Sequence, residues 1–266
     1  MKPEDKNELT QWALAARRLW LFLDYDGTLA DFAPTPDHIE PDPRLIHLLE
    51  DLARNPALRI TILSGRRLGH IRRLLPLSGI FLAGSYGLEL LTPGGETIHR
   101  VDYEKIRPFL DQIGPKWEQA IGDRNGFYLE DKGWAIALHA RFADDADARQ
   151  VLAQARQAVS REDLADGFRI LGGHKFLEIA PSLASKRDAV SYLLERYPLP
   201  EARLLYIGDD DKDEEAFSLI HAKGGGAVKV RQPSQASQPT EADFFLDSPK
   251  DTVRWLENLA NLDADP

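Results

Sequence analysis

The sequence predicts an α/β fold: a mostly parallel sheet covered by helices, with a smaller α+β segment inserted into it. Three observations indicate this fold. Short apolar runs alternate with helical patterns in the first and last thirds of the chain. These runs are continuous, as in strands that are buried on both faces of a parallel sheet. The middle third instead alternates helices with hairpins.

Four apolar runs are the predicted parallel strands. They are LWLFL (19–23), RITIL (59–63), GIFLAG (79–84) and ARLLYI (202–207). Apolar stripes at helical spacing predict helices over 43–54, 64–75 and 185–197. Strands that alternate with helices are joined by right-handed crossovers, so these segments predict one parallel sheet.

The middle of the chain is predicted to form a separate insert. Its predicted elements are helices over 103–121 and 144–159 and hairpins that turn at 131–133 and at Gly172–Gly173. The sequence therefore predicts two domains. The α/β core is expected over 1–103 and 184–266, and the insert over 104–183.

The composition restricts the class of function. The 266 residues include 33 basic and 43 acidic side chains, which give a formal net charge of −10. Nucleic-acid binding needs a basic surface, so no nucleic-acid partner is expected. The chain has no cysteine, which excludes disulfides, thiolate metal sites and cysteine nucleophiles. An anionic substrate would need a metal ion or a few well-placed lysines.

The sequence also gives an expectation about location. Residues 1–20 are charged throughout and lack the apolar core of a signal peptide. No apolar run approaches the roughly 20 residues that span a bilayer. We therefore expect a cytoplasmic protein with no membrane partner.

Two aspartates stand where the first predicted strand ends. An ionised carboxylate is costly to bury. Asp24 and Asp26 follow five apolar residues, which indicates that a specific role offsets this cost. Near a metal ion, Asp24 can act as a nucleophile and form a covalent intermediate. Asp26 can protonate the leaving oxygen and later activate a water. Gly27 permits a tight turn after them.

Polar residues also follow the other predicted strands, and ligands bind at that edge of an open α/β sheet. Ser64 offers a hydroxyl group and Gly65 an accessible amide, and Lys186 brings a positive charge. Phosphoryl transfer needs this kind of positioning and charge neutralisation. The sequence therefore predicts a phosphate site made by these three residues.

A dense carboxylate cluster follows the last predicted strand. Carboxylates this close repel one another unless a cation lies among them, and oxygen-only ligands favour Mg2+ over zinc. The sequence therefore predicts Mg2+ as a cofactor. Its expected ligands are Asp24, Asp26, Asp209, Asp210 and Asp213.

Four short motifs, in this order, resemble those of haloacid-dehalogenase-type phosphatases. They are DYDGTL (24–29), SGR (64–66), Lys186 and GDDDKD (208–213). The match covers nearly the whole chain when the insert is counted as a cap domain of the α/β class. The resemblance implies a Rossmann-like catalytic core and a phosphatase with an aspartyl-phosphate intermediate.

A narrower resemblance is to the trehalose-6-phosphate phosphatase family. It rests on GSYGLEL (84–90), LEDKGWAIALHARF (129–142), KFLEIAPSLASK (175–186) and IGDDDKDEEAF (207–217). It implies a small-molecule sugar-phosphate substrate, trehalose 6-phosphate, and a possible functional pairing with a trehalose-6-phosphate synthase. The sugar contacts that it implies are Arg66, Glu130, Lys132, His139, Arg141 and Glu178.

Two residues depart from the family pattern. Tyr86 stands where a histidine is expected, and Arg187 follows Lys186 where a glycine is usual. Either could shift specificity within sugar-phosphate phosphatases. Neither touches the chemical step.

Three alternatives stay open at this point. The same chemistry could serve glucosylglycerol phosphate, sucrose phosphate or mannosyl-3-phosphoglycerate. A non-catalytic module could bind a sugar phosphate or regulate a synthase. A phosphomutase would keep the phosphoryl group on the aspartate and hand it on.

Overall fold

The structure is a computed structural model that describes residues 3–32, 40–159, 164, 167–173, 175–232 and 239–262. Its helices are α1 (Pro3–Leu14), α2 (Pro43–Arg54), α3 (Leu68–Leu74), α4 (Tyr103–Ile121), α5 (Asp145–Gln157), α6 (Lys186–Arg196), α7 (Asp211–Ala222) and α8 (Pro249–Leu262). Its first strands are β1 (Arg18–Asp24), β2 (Leu58–Leu63), β3 (Phe81–Gly84), β4 (Glu89–Leu91), β5 (Thr97–His99) and β6 (Tyr128–Asp131). The remaining strands are β7 (Ile136–His139), β8 (Phe168–Gly173), β9 (Phe176–Pro181), β10 (Ala202–Gly208), β11 (Gly226–Val230) and β12 (Phe244–Leu246).

The chain divides into two compact units. The first unit joins Met1–Ile98 to Ser185–Pro266, and the second unit is His99–Ala184. The first unit is therefore discontinuous in sequence, and the second is one continuous segment.

The first unit is built on an eight-stranded sheet with the order β12-β11-β10-β1-β2-β3-β4-β5. The six strands from β12 to β3 run parallel, and β4 turns back antiparallel to β3. The predicted α/β class with a parallel sheet is confirmed. The four predicted parallel strands are β1, β2, β3 and β10.

Strand β1 shows why the apolar runs are continuous. Leu21 and Leu23 pack into a core with side chains of α1, α2, α3 and α8. Trp20 and Phe22 point to the opposite face and pack with α6 and α7. Because helices cover both faces of the sheet, successive side chains of the strand are all buried.

Helix α2 has the predicted bounds, and its sequence explains them. Asp42 accepts a hydrogen bond from the Arg44 amide and Pro43 stands at the first helical position, so the start is well defined. The buried residues form the predicted stripe: Leu45, Leu48, Leu49 and Leu52.

Two local predictions are wrong. The helix predicted over 64–75 begins only at Leu68, because the residues before it bond to β3 and to the turn that follows it. The Ser64 amide donates to the Ala83 carbonyl at 2.9 Å. The second hairpin does not turn at Gly172–Gly173, because both glycines pair with β9. The chain turns two residues later, where Lys175 takes a φ of 52°; His174, beside it, lies outside the described residues.

The second unit is an antiparallel sheet with the order β6-β7-β9-β8. One face packs against α4 and α5 through Leu138, Leu177 and Ile179. The other face carries the side chains that alternate with these residues, among them His139 and Glu178. The predicted order of helix, hairpin, helix, hairpin is present.

Among the helices that the structure describes, none combines the length and the apolar character that crossing a bilayer requires.

Candidate functional site

The carboxyl ends of three neighbouring strands bring the predicted residues of the first unit together. Asp24 ends β1 and lies opposite Leu63, the last residue of β2, so Ser64 follows at the same edge. Leu23 lies opposite Ile207 of β10, and Asp209 follows that strand. The parallel register thus sets the predicted nucleophile, phosphate loop and acidic cluster side by side.

Lys186 lies at the centre of this cluster. It is the first residue of α6, and Ser185 caps the helix by accepting from the Asp188 amide. The Lys186 Nζ atom lies 2.8 Å from Asp24 Oδ1 and 2.6 Å from Asp213 Oδ1. The lysine is 3% exposed, so its charge is balanced by carboxylates rather than by water.

Three carboxylates approach closely enough to share a cation. One oxygen each from Asp24, Asp209 and Asp213 lies within 4.8 Å of the others. Among the described residues, Asp209 Oδ2 is the buried side-chain atom that no hydrogen bond satisfies. A buried carboxylate oxygen without a partner is costly, and a metal ion would satisfy it. This donor set of hard oxygens fits a divalent cation.

The turn after β1 leaves room for this arrangement. Gly27 has a φ of 83°, and a Cβ atom at this position would lie 2.3 Å from Asp209 Oδ2. The hydroxyl of Thr28 lies 3.4 Å from Asp24 Oδ2 and 3.3 Å from Asp209 Oδ1. Glycine is therefore required at position 27 by both backbone conformation and space.

Burial raises the pKa values of the three clustered carboxylates. Burial raises the pKa of Asp209 to about 7, and the carboxylates of Asp213 and Asp210 add to this. Burial also raises the pKa of Asp213 to about 8, against the lowering effect of Lys186. Burial raises the pKa of Asp24 well above its ordinary value, again against Lys186. A bound cation would favour the ionised forms.

The pKa of Lys186 is raised as well, and in a base a raised pKa favours the charged form. Burial alone would lower the pKa of Lys186, but the charges of Asp213 and Asp24 outweigh it and raise the pKa well above its usual range. The ammonium group therefore stays protonated and can neutralise charge beside Asp24.

Asp213 and Asp210 also have structural roles. The Asp213 carboxylate accepts from the Tyr206 hydroxyl at 2.8 Å and from the Asp209 and Asp210 amides at 3.1 Å. Asp210 caps α7 by accepting from the Lys212 and Asp213 amides. The positive charges of Lys186 and Lys212 outweigh burial and lower the pKa of Asp210 below its usual range. Asp210 is not part of the three-oxygen cluster.

Asp26 lies apart from the oxygen cluster and is paired with Arg66. The guanidinium donates to both carboxylate oxygens, from Nε and Nη2, at 2.7 Å each. This bidentate geometry is the strongest form of an arginine–carboxylate pair. The structure thus brings Arg66 to the predicted acid–base residue. A sugar contact by Arg66 stays a prediction.

The predicted phosphate loop is held in place by its own backbone and by the next strand. Ser64 is fully buried, and its Oγ atom accepts from the Arg66 amide at 3.1 Å. The following Gly65 is covered on one side by the ring of Tyr86.

Apart from Arg66, the predicted sugar residues lie in the second unit, where four of them form two pairs. Lys132 Nζ lies 2.7 Å from Glu178 Oε2, and His139 Nε2 lies 2.9 Å from Glu130 Oε2. Glu178 is 1% exposed. Arg141 is different, because β7 ends at His139 and Arg141 is an exposed residue beyond it.

Sequence reasoning missed two residues of the first-unit site. Tyr206 donates to Asp213 from the middle of a buried strand, and Glu89 accepts from the Leu68 amide. A tyrosine in an otherwise apolar run is the signal that could have found the first. Glu89 offers no such signal, because its partners are set by the fold.

Comparison with known proteins shows which family the chain resembles. The family model described as trehalose-phosphatase matches residues 22–250. A trehalose-phosphate phosphatase of Mycobacterium bovis is 34% identical over 253 residues, which cover 93% of this chain and 62% of the relative. A trehalose-phosphate phosphatase of Mycobacterium marinum is 30% identical over 252 residues, with 93% and 63% covered. The chain thus spans under two thirds of the length of these relatives.

Solved structures share the fold at lower identity. The C-terminal domain of a Candida albicans trehalose-6-phosphate phosphatase superimposes with a TM-score of 0.82 at 23% identity, covering 97% of this chain and 98% of that one. The C-terminal domain of a Candida albicans trehalose synthase regulatory protein gives 0.76 at 15% identity, covering 95% and 97%. The match of the family model and the identity to the relatives together show that this chain belongs to the trehalose-phosphatase family.

Proposed function

We propose that the protein hydrolyses trehalose 6-phosphate to trehalose and inorganic phosphate, through a phosphorylated Asp24. One observation carries the proposal. Asp24 is buried at a strand end, 2.8 Å from the Lys186 ammonium, and within 4.8 Å of two more carboxylates that can share a cation. The family to which the chain belongs and the names of its relatives support the choice of substrate.

The reaction has two steps. In the first, a carboxylate oxygen of Asp24 bonds to phosphorus, and the bond from phosphorus to the sugar oxygen breaks. Asp26 gives its proton to that oxygen, so trehalose leaves neutral. In the second, Asp26 takes a proton from a water whose oxygen bonds to phosphorus. The acyl phosphate breaks, and inorganic phosphate and free Asp24 are restored.

We propose Mg2+ as the metal that completes the site. Asp24, Asp209 and Asp213 would hold it, and the unsatisfied Asp209 Oδ2 atom supports this choice. The ion would neutralise charge on the phosphate oxygens. Metal contacts by Asp26 and Asp210 stay predictions. The Asp26 carboxylate is paired with Arg66, and the Asp210 carboxylate caps α7.

The phosphate and the sugar would be read by different parts of the chain. Ser64, Gly65 and Lys186 are proposed to hold the phosphate, because Lys186 contacts Asp24 and the other two follow the strand that pairs with β1. The polar face of the second-unit sheet is proposed to select the sugar. Its proposed contacts are Glu130, Lys132, His139, Arg141 and Glu178.

A functional pairing with a trehalose-6-phosphate synthase is also proposed. It is supported by the shared fold with a domain of a trehalose synthase regulatory protein. Measurement of phosphatase kinetics with and without a purified synthase tests it, with bovine serum albumin as the control for non-specific protein effects. The cytoplasmic location stays a prediction from the sequence.

A panel of sugar phosphates tests the proposed function. Phosphate release is measured with and without Mg2+ on trehalose 6-phosphate, sucrose phosphate, glucosylglycerol phosphate and mannosyl-3-phosphoglycerate. We expect the highest kcat/KM on trehalose 6-phosphate and no release without the metal. A higher value on another sugar phosphate would reassign the substrate. Binding without release would favour a non-catalytic module, and an isomerised sugar phosphate would favour a mutase.

A further inference from the structure

The turn between β3 and β4 holds two consecutive residues in the left-handed region of the backbone. Ser85 has a φ of 50° and Tyr86 a φ of 53°. Residues other than glycine, asparagine and aspartate rarely take this backbone conformation. Strained backbone persists where surrounding contacts hold it, and it clusters at functional sites. The strained backbone of Tyr86 therefore indicates that this side chain has a specific role at the site.

The turn is bonded to the phosphate loop along its backbone. The Ser85 amide donates to the Arg66 carbonyl at 2.7 Å, and the Tyr86 amide donates to the Ser64 carbonyl at 2.9 Å. Both carbonyl groups belong to the segment that follows β2. The position of Tyr86 is therefore fixed relative to the residues proposed to bind phosphate.

A buried carboxylate holds the turn from the other side. Glu89 Oε2 accepts from the Ser85 hydroxyl and from the Leu68 amide, each at 3.1 Å. Glu89 is 9% exposed, so loss of its charge would leave buried donors with a weaker acceptor. Glu89 thus links the strained turn to the first residue of α3.

The end of the Tyr86 ring lies against Gly65. A Cβ atom at Gly65 would lie 2.6 Å from the Tyr86 Cζ atom and 2.7 Å from its hydroxyl oxygen. The hydroxyl therefore lies beside the proposed phosphate loop.

We propose that the Tyr86 hydroxyl donates a hydrogen bond to the substrate phosphate next to Gly65, and that Glu89 is a positioning residue that holds Tyr86 there. A hydrogen bond to a charged phosphate is stronger than one between neutral groups. The proposal rests on the phosphate role of Ser64 and Gly65 in the proposed function. It also gives a purpose to the tyrosine that stands where the family resemblance expects a histidine.

The first experiment compares Tyr86→Phe with the wild-type protein. We measure kcat/KM on trehalose 6-phosphate and on 4-nitrophenyl phosphate, and the binding of orthophosphate by calorimetry, all with Mg2+. We expect each quantity to weaken about tenfold, which corresponds to ~1.4 kcal/mol, with an unchanged midpoint of thermal unfolding. The matched control is Tyr197→Phe, which should change none of these quantities. The Tyr197 ring packs on Phe81 at the start of β3, whereas Tyr86 follows the end of that strand.

Three results would overturn the phosphate contact. The first is a change within twofold in all three quantities. The second is a loss on trehalose 6-phosphate alone, which would make Tyr86 a sugar contact. The third is a loss that accompanies a lower unfolding midpoint and disappears at lower temperature, which would make the role purely structural.

A double-mutant cycle tests Glu89. Glu89→Gln is expected to lower kcat/KM in the wild-type background but to have little further effect in Tyr86→Phe, because Glu89 acts through the tyrosine. Ser85→Ala removes only the hydrogen bond between the turn and Glu89. It should lower kcat/KM by less than Glu89→Gln does, and it should also have little further effect in Tyr86→Phe. Losses that simply multiply in the double variant would overturn the positioning role.

Failure of this inference is distinguishable from failure of the proposed function. A wild-type protein that releases no phosphate from trehalose 6-phosphate would contradict the proposed function. The effect of Tyr86→Phe would still be read from 4-nitrophenyl phosphate and from orthophosphate binding, neither of which contains a sugar.

Discussion

Asp24 is subject to opposing influences that its reactivity depends on. Burial and the neighbouring carboxylates favour its neutral form, and Lys186 favours its ionised form. Only the ionised form is a nucleophile. The balance gives a physical reason for placing around this side chain both a lysine and carboxylates that could bind a cation.

Asp24→Asn should abolish turnover, since an amide oxygen cannot form the acyl phosphate. We expect kcat to fall by at least about a thousandfold, with a folded protein by thermal unfolding. Phosphate release from trehalose 6-phosphate is the measurement. Asp31→Asn, at an exposed aspartate, is the control. Activity that persists in Asp24→Asn would rule out the covalent mechanism.

Gly27→Ala should damage the site through space as well as through backbone strain. Its Cβ atom would meet Asp209 Oδ2, whereas Gly95, with a similar φ of 86°, has open space around its Cβ position. Backbone strain alone should cost either variant about 1–2 kcal/mol of stability. Only Gly27→Ala should lower kcat and Mg2+ affinity, measured by kinetics and calorimetry. Equal activity in the two variants would show that the contact with Asp209 is unimportant.

At the scale of elements, the start of helix α7 gives different roles to Asp209 and Asp210, which are adjacent in sequence. Asp210 belongs to the end of the helix, and Asp209 to the oxygen cluster. The motif GDDDKD (208–213) therefore combines a structural role with a proposed chemical one.

Asparagine substitutions should separate these roles. Asparagine is a good residue for a helix N-terminus, so Asp210→Asn should keep both stability and most of the Mg2+ affinity. Asp209→Asn should lose Mg2+ affinity by more than about tenfold, because it removes the charge of a ligand. Calorimetric titration with Mg2+ is the measurement. A comparable loss in Asp210→Asn would make Asp210 a ligand, as the sequence predicts.

The polar face of the second-unit sheet should affect substrate choice. Lys132→Ala should lower kcat/KM on trehalose 6-phosphate by about tenfold to a hundredfold and leave 4-nitrophenyl phosphate almost unchanged. Lys105→Ala, at an exposed lysine, is the control. Equal losses on both substrates would contradict a role in sugar selection.

A second variant removes the ambiguity of stability. Lys132→Ala leaves the buried Glu178 carboxylate unpaired, which is destabilising. Adding Glu178→Gln should restore the unfolding midpoint but not the activity on trehalose 6-phosphate.

The elements show what sequence reasoning could and could not reach. Helices α2 and α4 were predictable to the residue, because their apolar stripes and first residues are unambiguous. The residues at the strand ends were also predictable, since parallel strands share one edge. The pairing of Arg66 with Asp26 was not, because it depends on side-chain directions that spacing does not define. The short strands β4, β5, β11 and β12 lack a distinctive pattern and were missed.

For the whole molecule, the clearest consequence is a link between metal binding and stability. A cation that binds the folded cluster and not the unfolded chain raises the free energy of unfolding. It also relieves the repulsion among carboxylates that are otherwise buried together.

Thermal unfolding should therefore depend on Mg2+. At a concentration one hundred times the dissociation constant, we expect about 2.7 kcal/mol of added stability, and a chelator should reverse both this and the activity. The measurement is the unfolding midpoint during a Mg2+ titration, with sodium chloride of equal ionic strength as the control. Asp209→Asn should show little shift. An equal shift in that variant would place the ion elsewhere.

The discontinuous first unit has a consequence for synthesis on the ribosome. Strand β1 pairs with β10, whose residues emerge only after the whole of His99–Ala184 has been made. The later segment is contiguous and carries its own apolar centre, so it can fold during translation while β1 is paired with β2 but still lacks its β10 neighbour. One edge of β1 thus stays unpaired until β10 has been made, and the cluster of Asp24, Asp209 and Asp213 can form only then.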